Sequence, residues 1–349
     1  MLKVNNLTVS VTCNKITGKK IDEKPLKILN NISFKVDEGE ILGLAGESGC
    51  GKSMTALSIA GLLPPEINIT EGEIIYNDLN LTALSDKEFC GARSSASGIR
   101  GSEISVIFQD VRQALNPSMK IGKQITETLE LGVSRDKIKN KTAAVEMLSV
   151  LGFTDPEKIL NAYPHQLSGG MCQRIMTAIA VIRRPKLLLG DEPSSSLDEE
   201  SQKQCLSLLL ELNRNHKMTL IIISHDLSKI QKFCTRFLIM YSGRIVEEGP
   251  ARALFSPLHP YTRALVNALP GREKRGKKLD NIPGKVPSVE DQLPGCPFAP
   301  RCSKAQGICS ETFPPEYFYR KDKKGANERK VYCYFPVEAD INTYVHDGS

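Results

Sequence analysis

The chain has 349 residues, enough for about two or three domains, and its 40% hydrophobic and 25% charged residues exclude global disorder. Its 46 basic and 40 acidic residues give a net charge of +6, too small to indicate a nucleic-acid-binding protein but suited to a surface near anionic lipid. No apolar run approaches the roughly 20 residues that cross a bilayer, and the polar N-terminus is not a signal peptide. We therefore expect a cytoplasmic chain that depends on membrane-spanning partners.

The N-terminal segment predicts strands, a glycine-rich loop and one helix. Apolar residues alternate over residues 2–11 and 32–36, which indicates two strands. A short apolar strand at 41–45 ends in the glycine-rich loop, and an apolar helix follows from about 51 to 63, where two prolines stop it.

The middle of the chain alternates between helices and strands. The pattern is mainly helical from about residue 79 to 184, with a strand at 104–109 inside it. Beyond that segment the pattern predicts strands at 187–189, 219–223 and 237–240 and helices at 199–214 and 227–233. This alternation predicts a mostly parallel sheet, and the lack of an internal repeat predicts a single such unit.

Composition changes after about residue 267. Residues 269–278 form a basic, glycine-containing linker, and beyond it lies a tail rich in proline and cysteine. The tail is too poor in periodic apolar residues to form a conventional hydrophobic core, so we expect an additional stabilising link to hold it. Of the ten cysteines in the chain, four fall in this tail: Cys296, Cys302, Cys309 and Cys333.

A phosphate-binding loop is predicted between the strand at 41–45 and the helix that follows it. The segment matches G-x-x-x-x-G-K-[ST], in the strand–helix context that this motif requires. Its glycines let backbone N–H groups surround an anion, Lys52 reaches the β and γ phosphates, and Ser53 places its hydroxyl on Mg²⁺. The predicted nucleotide-binding residues are Gly46, Glu47, Ser48, Gly49, Cys50, Gly51, Lys52, Ser53 and Met54.

Two further segments carry groups that suit nucleotide hydrolysis. The apolar strand near residue 187 ends in Asp191, which holds Mg²⁺ through water, and Glu192, which orients or deprotonates an attacking water. The sequence Leu-Ser-Gly-Gly-Met at 167–171 opens a predicted helix with Ser168 as its N-cap, which makes a second anion site. Two phosphate-binding helix ends in one chain predict face-to-face dimers in which each chain closes the other's ATP site.

Taken in order, these motifs resemble the ATP-binding cassette of ABC transporters over about residues 1–265. In that family L-S-G-G-[QM] is the signature, represented here by Leu167, Ser168, Gly169, Gly170 and Met171. The resemblance implies an α/β fold: a P-loop NTPase cassette with a RecA-like core, an antiparallel β subdomain and a helical subdomain at about 80–185. Residues 266–349 are expected to form the linker and a small Cys-rich C-terminal extension.

The resemblance also implies roles for individual residues. Gln109 matches the Q-loop residue, which touches nucleotide-bound Mg²⁺ and couples to the permease, and Asp198 lies in the D-loop. His225 matches the switch histidine that contacts the γ-phosphate. Glu192 and His225 are therefore the expected catalytic residues, and the expected Mg²⁺ ligands are Ser53, Gln109 and Asp191.

Two positions depart from what the motifs lead one to expect. The family usually has an aromatic residue that stacks on adenine near the end of the first strand, but Val11 stands there. Either adenine affinity is lower, or the loop expected at residues 12–27 contacts the base in another way. Cys50 lies beside Lys52 and a helix N-terminus, which favour a thiolate, although a filler position is the simpler interpretation.

The tail cysteines indicate a metal site. Their spacing contains no C-x-x-C pair, so it is not that of a zinc ribbon, but four thiolates suit an iron–sulfur cluster or Zn²⁺. Four inert cysteines are the alternative. Residues 256–263 and 295–302 resemble the C-terminal extension of the oligopeptide/dipeptide/nickel importer ATPases, whose tail cysteines carry a [4Fe–4S] cluster. The resemblance thus favours a structural cluster.

The resemblance implies an ATP-hydrolysing subunit of a peptide importer, with nickel or another chelated metal as the alternative cargo. Expected partners are two permease subunits, a related second ATPase in a heterodimer and an extracytoplasmic binding protein, with the chain peripheral on the cytoplasmic face of the membrane. A cassette that acts on ribosomes or DNA is disfavoured because neither a second cassette nor a long coiled-coil insertion is present. The intact Lys52 and Glu192 disfavour a regulatory, non-hydrolysing subunit.

Overall fold

Two β-sheets organise the chain. The computed structural model describes residues 1–17, 20–90, 98–130, 136–195, 197–269, 281–320, 328–337 and 344–345. The described strands are β1 (Leu2–Thr17), β2 (Lys20–Val36), β3 (Ile41–Ala45), β4 (Ile67–Tyr76), β5 (Leu79–Asn80), β6 (Ile104–Ile107), β7 (Leu187–Asp191), β8 (Thr219–Ile223), β9 (Arg236–Tyr241), β10 (Arg244–Pro250), β11 (Tyr317–Arg320), β12 (Glu328–Val331) and β13 (Tyr344–Val345).

Helices connect most of these strands. The described α-helices are α1 (Lys52–Ala60), α2 (Asp86–Cys90), α3 (Val111–Ala114), α4 (Ile121–Glu130), α5 (Lys137–Val150), α6 (Pro156–Asn161), α7 (Gly169–Val181), α8 (Glu199–His216), α9 (Leu227–Phe233), α10 (Pro260–Ala268) and α11 (Gly307–Glu311). The predicted strand at 219–223 and helix at 227–233 are confirmed at their bounds. The first helix ends earlier than predicted because Gly61 takes a left-handed conformation, with φ of 62°.

The main sheet contains a parallel half and an antiparallel half. Among the described strands its order is β13-β11-β12-β10-β9-β3-β8-β7-β6. Strands β9, β3, β8, β7 and β6 run parallel, as predicted, whereas β10 to β13 continue the sheet in antiparallel pairs. The smaller sheet, in the order β2-β1-β4-β5, is antiparallel. Residues expected to form a loop at 12–27 lie largely in β1 and β2, which pair as a hairpin.

The parallel strands are buried on both faces, and successive side chains pack into two different hydrophobic cores. In β8, Leu220 and Ile222 pack into the core shared with the helices, whereas Ile221 and Ile223 pack into the core shared with α1 and the smaller sheet. A strand alternates its side chains between faces, so these continuous apolar runs fill both sides at once. The carboxyl ends of β3, β7 and β8 consequently meet at one edge, where the polar groups follow.

The helical subdomain expected at about 80–185 is mainly helical in the described residues, with β6 inside it as predicted. Helix α4 buries Ile121, Ile125 and Leu129 at i, i+4 and i+8, and it packs on α5, α6 and α7. Helix α7 continues into the main core, where Cys172 and Ile175 are fully buried. Rigid packing of α7 thereby fixes the position of the helix end at which Ser168 lies.

The C-terminal residues pack on the cassette rather than on a separate core. Cys296, Phe298, Ala299 and Cys309 join the main core, and a small cluster forms around Leu258, Tyr319, Val331 and Cys333. Strand β12 pairs with β10, so the tail extends the main sheet. The described tail residues therefore obtain apolar burial from the cassette, which spacing within the tail alone did not predict. The predicted basic linker at 269–278 lies almost wholly outside the described residues.

Candidate functional site

The predicted phosphate-binding loop connects β3 to α1, and its glycines are required by its geometry. Gly46 and Gly51 have φ values of 149° and 103°, which favour glycine. A Cβ atom on Gly46 would lie 2.2 Å from the carbonyl oxygen of Met240, and one on Gly51 would lie 2.6 Å from Leu29. The loop therefore packs closely against β2 and β9, and these contacts restrict its backbone conformation.

Lys52 is the first residue of α1, and its side chain folds back over the loop. Its Nζ donates to the carbonyl oxygens of Gly46 and Glu47, each at 2.9 Å. These bonds hold the ammonium beside the loop, where it adds to the partial positive charge of the helix N-terminus. The predicted anion-binding groups are thus together in one place.

Cys50 does not behave as its neighbours in the sequence suggested. The side chain is fully buried, and burial raises the pKa of its thiol although Lys52, 3.5 Å from the sulfur, acts to lower it. Lys52 thus favours the thiolate as expected, but desolvation outweighs its charge, which supports the filler interpretation over a reactive thiol. Cys50 fills space inside the loop.

The three predicted Mg²⁺ ligands line one open cavity beside the loop. Ser53, Gln109 and Asp191 come from α1, the end of β6 and the end of β7, and all three border this cavity. Burial raises the pKa of Asp191, while a hydrogen bond with Ser53 and the charge of Lys52 act to lower it. A carboxylate, a hydroxyl and an amide oxygen are the hard donors that suit Mg²⁺.

Glu192 and His225, predicted separately as catalytic residues, are in direct contact. The Oε1 of Glu192 lies 2.5 Å from Nδ1 of His225 and accepts the backbone N–H of His225 at 2.9 Å. The Glu192 side chain is 10% exposed, whereas that of His225 is 74% exposed. Glu192 also takes a φ of 52°, unusual for a residue other than glycine, so its backbone is strained at the functional edge of the sheet.

The predicted signature segment lies at the N-terminus of α7 and is open to solvent. Ser168 caps the helix as predicted, its Oγ accepting the N–H of Met171 at 3.2 Å. A Cβ atom on Gly169 would meet no other atom within 4 Å. Leu167 is buried beneath this exposed end. Of the described residues around the cavity that holds Ser53 and Asp191, none belongs to the signature segment.

The D-loop residue Asp198 caps α8, its side chain accepting the N–H of Ser201 at 3.0 Å. The neighbouring Ser196 lies outside the described residues. Val11, at the position expected to hold an aromatic ring, pairs with Leu26 and with Ile67 on the neighbouring strands. Val11 is therefore a residue of a paired strand and not of a loop.

Two residues outside the predicted site hold the phosphate-binding loop. The hydroxyl of Tyr261 accepts the backbone N–H of Glu47 at 2.7 Å, and Arg301 forms a paired contact with the Glu47 carboxylate at 2.7 and 3.2 Å. The hydrogen bond with Glu47 raises the pKa of Arg301 further above its usual range. Sequence analysis missed both residues, although both lie in the segments 256–263 and 295–302 that carry the resemblance to importer tails.

The four tail cysteines predicted as cluster ligands border one small cavity, which His259, Phe298 and Tyr334 also line. Burial raises the pKa of Cys296 to about 11 and that of Cys333 to about 12, so both are neutral thiols. Neutral thiols pack as small apolar groups. Across the described residues, no group of three or more His, Cys, Asp or Glu side chains is arranged to hold a metal ion. The four predicted ligands therefore border the same cavity but are not placed to bind a common metal ion.

Two family models match the chain. The model described as ABC transporter matches residues 29–195, and the model described as the C-terminal region of oligopeptide/dipeptide transporters matches residues 246–309. The second match runs from within β10 into α11 and includes α10, the residues that contact Glu47 and three of the four tail cysteines. None of the described helices has the length and apolar character to span a membrane.

Similar proteins cover most of the chain. A probable peptide ABC transporter ATP-binding protein of Sinorhizobium fredii is 42% identical over 84% of this chain and 86% of its own length. The dipeptide transport ATP-binding protein DppD of Haemophilus influenzae is 37% identical over 93% of this chain and 94% of its own length. Among solved structures, the dimeric ATP-binding cassette MJ0796 bound to ADP and phosphate superimposes with a TM-score of 0.62 and 26% identity, covering 72% of this chain and 99% of MJ0796.

Proposed function

The chain belongs to the ATP-binding subunits of ABC transporters of the oligopeptide/dipeptide type, and from this we propose that it hydrolyses ATP to drive the uptake of peptides. The observation that carries the proposal is the meeting of Glu192 and His225 at the edge of the sheet that also presents Lys52, Ser53 and Asp191.

Each group has a distinct part in hydrolysis. Lys52 leaves the carbonyl oxygens of its loop and pairs with the β and γ phosphates of ATP. Ser53, Gln109 and Asp191 would hold Mg²⁺, which would supply positive charge to offset the negative charge of these phosphates. Glu192 orients and deprotonates the attacking water.

His225 acts on both the base and the nucleotide. Its ring and its backbone N–H hold Oε1 of Glu192, so the carboxylate keeps one orientation. The other face of the largely exposed ring is free to approach the γ-phosphate. Contact with both groups makes the alignment of Glu192 depend on whether the γ-phosphate is bound.

The ATP site is completed by a second chain. Ser168 is exposed at the N-terminus of α7, Gly169 and Gly170 are partly exposed, and none of the three lines the chain's own cavity. We place this end against the γ-phosphate of ATP on a second ATPase subunit, with Asp198 at the dimer contact. The known dimer of the similar cassette MJ0796 supports this arrangement.

Coupling to transport requires partners in the membrane. Two permease subunits would dock near Gln109, whose exposed position beside the cavity links the nucleotide to the surface. Such docking places the chain on the cytoplasmic face of the membrane as a peripheral subunit. We propose that a related second ATPase and an extracytoplasmic peptide-binding protein complete the transporter; the names of the relatives support the transport of peptides.

The experiment is peptide uptake by the assembled transporter in vesicles, compared between the wild-type chain and E192Q. We expect ATP-dependent uptake of di- or oligopeptides by the wild type and none by E192Q, with MgATP still bound. Uptake of nickel chelates instead of peptides would overturn the peptide cargo but keep the ATPase role. Unchanged hydrolysis in E192Q would overturn the catalytic assignment.

For the C-terminal extension, residues 266–349, we propose a metal group held by Cys296, Cys302, Cys309 and Cys333, a [4Fe–4S] cluster rather than Zn²⁺. Support comes from the four thiols bordering one cavity although Cys333 is distant in sequence from the other three. Thiolate-only ligation suits both groups. Binding requires the thiols to lose their protons and turn toward one another, and the bound group would tie α11 to the strand end at β12.

Anaerobic purification tests this metal group. A cluster predicts about four irons per chain and an absorbance band near 400 nm, both lost in C309S. About one zinc per chain and no visible band would replace the cluster with Zn²⁺. Protein with neither metal, at native stability, would refute the site.

A further inference from the structure

The contact between Arg301 in the tail and Glu47 in the phosphate-binding loop joins two regions that are 254 residues apart in sequence. Both terminal nitrogens of Arg301 donate to the two carboxylate oxygens of Glu47, at 2.7 and 3.2 Å. Two parallel hydrogen bonds of this kind fix the orientation of a carboxylate as well as its position. The neighbouring Gly46 packs directly against Met240, so the loop is held by β9 on one side and by Arg301 at Glu47.

Arg301 is itself held by the tail and by the main sheet. Its Nε donates to the carbonyl oxygen of Pro283 at 2.8 Å, and one terminal nitrogen donates to the hydroxyl of Tyr241 at 3.1 Å. The side chain is only 4% exposed. A buried side chain with four partners keeps one conformation, so Arg301 is a fixed support for the loop.

Arg301 also compensates the negative charge of the Glu47 carboxylate. Glu47 adds this carboxylate to the loop that is proposed to receive the phosphates of ATP, and like charges repel. The guanidinium of Arg301 neutralises that carboxylate, and salt screens a partly buried pair far less than an exposed one. Without Arg301, the loop would present a negative charge to a negative ligand.

We propose that Arg301 is a positioning residue for ATP binding, which orients the phosphate-binding loop through Glu47 and cancels the charge of Glu47. This inference rests on the proposed function, because it takes the loop to bind ATP. It makes the affinity of the loop for ATP depend on the folded tail. Arg301 directly precedes Cys302, so any group in the cysteine cavity acts on the segment that supports the loop.

Arg329 provides a matched control. It too is buried and joins the tail to the cassette through an ion pair, from β12 to Glu247. Its partner Glu247 belongs to β10 and accepts the backbone N–H groups of Leu258 and His259. Replacing Arg329 also removes a contact between tail and cassette, and it leaves the fully buried Glu247 unpaired, but of the two arginines only Arg301 touches the loop.

The experiment measures MgATP affinity by calorimetry and the unfolding midpoint for the full-length wild type, R301M, R329M and the double variant R301M/E47Q. We expect R301M to bind MgATP about tenfold more weakly and R329M to stay within about twofold, although R329M should lower the unfolding midpoint at least as much as R301M. The double variant should regain most of the affinity, because the uncompensated carboxylate is gone. Recovery of affinity without an equal recovery of the unfolding midpoint separates this role from a purely structural one.

Two results would overturn the inference while leaving the proposed function intact: equal weakening of MgATP binding in R301M and R329M, or a double variant that binds no better than R301M. If R301M does not fold, R301K decides, because it keeps the charge but loses the paired contact. We expect a measurable loss of affinity in R301K, and wild-type affinity would refute the positioning role. A wild-type chain that binds no MgATP would defeat the proposed function as well.

Discussion

The phosphate-binding loop at the start of α1 and the signature end at the start of α7 are both glycine-containing helix N-termini, but their surroundings differ. The loop is wedged against Leu29 and Met240 and held at Glu47 by Tyr261 and Arg301. The signature end is capped by Ser168 and otherwise faces open space at Gly169. The phosphate-binding loop is thus supported by contacts within its own chain. The signature end, in the proposed dimer, obtains its remaining contacts from another chain.

The largest expected effect concerns the chemistry at the site beside the phosphate-binding loop. E192Q removes the general base but keeps its shape, so hydrolysis should fall about 100- to 10,000-fold while MgATP affinity is retained. Steady-state phosphate release from the assembled ATPase pair measures this. E200Q, a change to an exposed glutamate at the start of α8, is the matched control and should hydrolyse ATP at the wild-type rate. A small effect of E192Q would mean that another group activates the water.

The signature end should be as necessary for hydrolysis, although it does not line the cavity that Ser53, Gln109 and Asp191 border. S168R removes the helix cap and blocks the exposed N-terminus of α7, so hydrolysis by the assembled pair should fall about 100- to 1,000-fold. S149R changes an exposed serine on α5 and should have little effect. Equal hydrolysis rates for S168R and S149R would remove the signature end from the site.

Glycine substitutions should separate the two helix ends in stability. G51A places a Cβ atom 2.6 Å from Leu29 at a φ of 103°, so we expect a loss of about 1–3 kcal/mol in the free energy of unfolding. G169A enters open space at a helix start and should change that free energy by no more than about 0.5 kcal/mol. Urea denaturation of the full chain measures both. Similar losses would show that the signature end is packed within the chain.

The smallest expected effect is the difference in reactivity between two thiols. Burial raises the pKa of Cys50, so little thiolate forms at pH 8 and alkylation by iodoacetamide should be slow. Cys90 is exposed on α2 and should be labelled first. Peptide mapping by mass spectrometry after brief labelling compares the two sites. Rapid labelling of Cys50 would indicate that the loop opens readily to solvent.

Local patterns predicted much of the fold and most of the site. The runs at 219–223 and 227–233 were predictable because strand and helix periods are written in adjacent residues. Three different elements, α1, β6 and β7, position Ser53, Gln109 and Asp191. The parallel order of the strands places these residues at one edge of the sheet, as the motifs implied. Here the sequence information and the topology agree.

The remainder depends on contacts between distant parts of the chain. The antiparallel half of the main sheet pairs β10 with β12, and nothing in the sequence of either strand specifies that partner. The pairing of Arg301 with Glu47 has no characteristic spacing, and the thiol of Cys50 depends on burial that its neighbours do not reveal. Such features arise from tertiary packing and are visible only once the chain is folded.

The most direct test of the difference between the two helix ends is the MgATP affinity of the isolated full-length chain, measured by calorimetry for K52A and S168R. K52A removes the charge held over the loop and should weaken binding about 100-fold or more, whereas S168R should bind like the wild type. Loss of MgATP binding in S168R comparable to that in K52A would contradict the account, because the signature end would then belong to the chain's own ATP site.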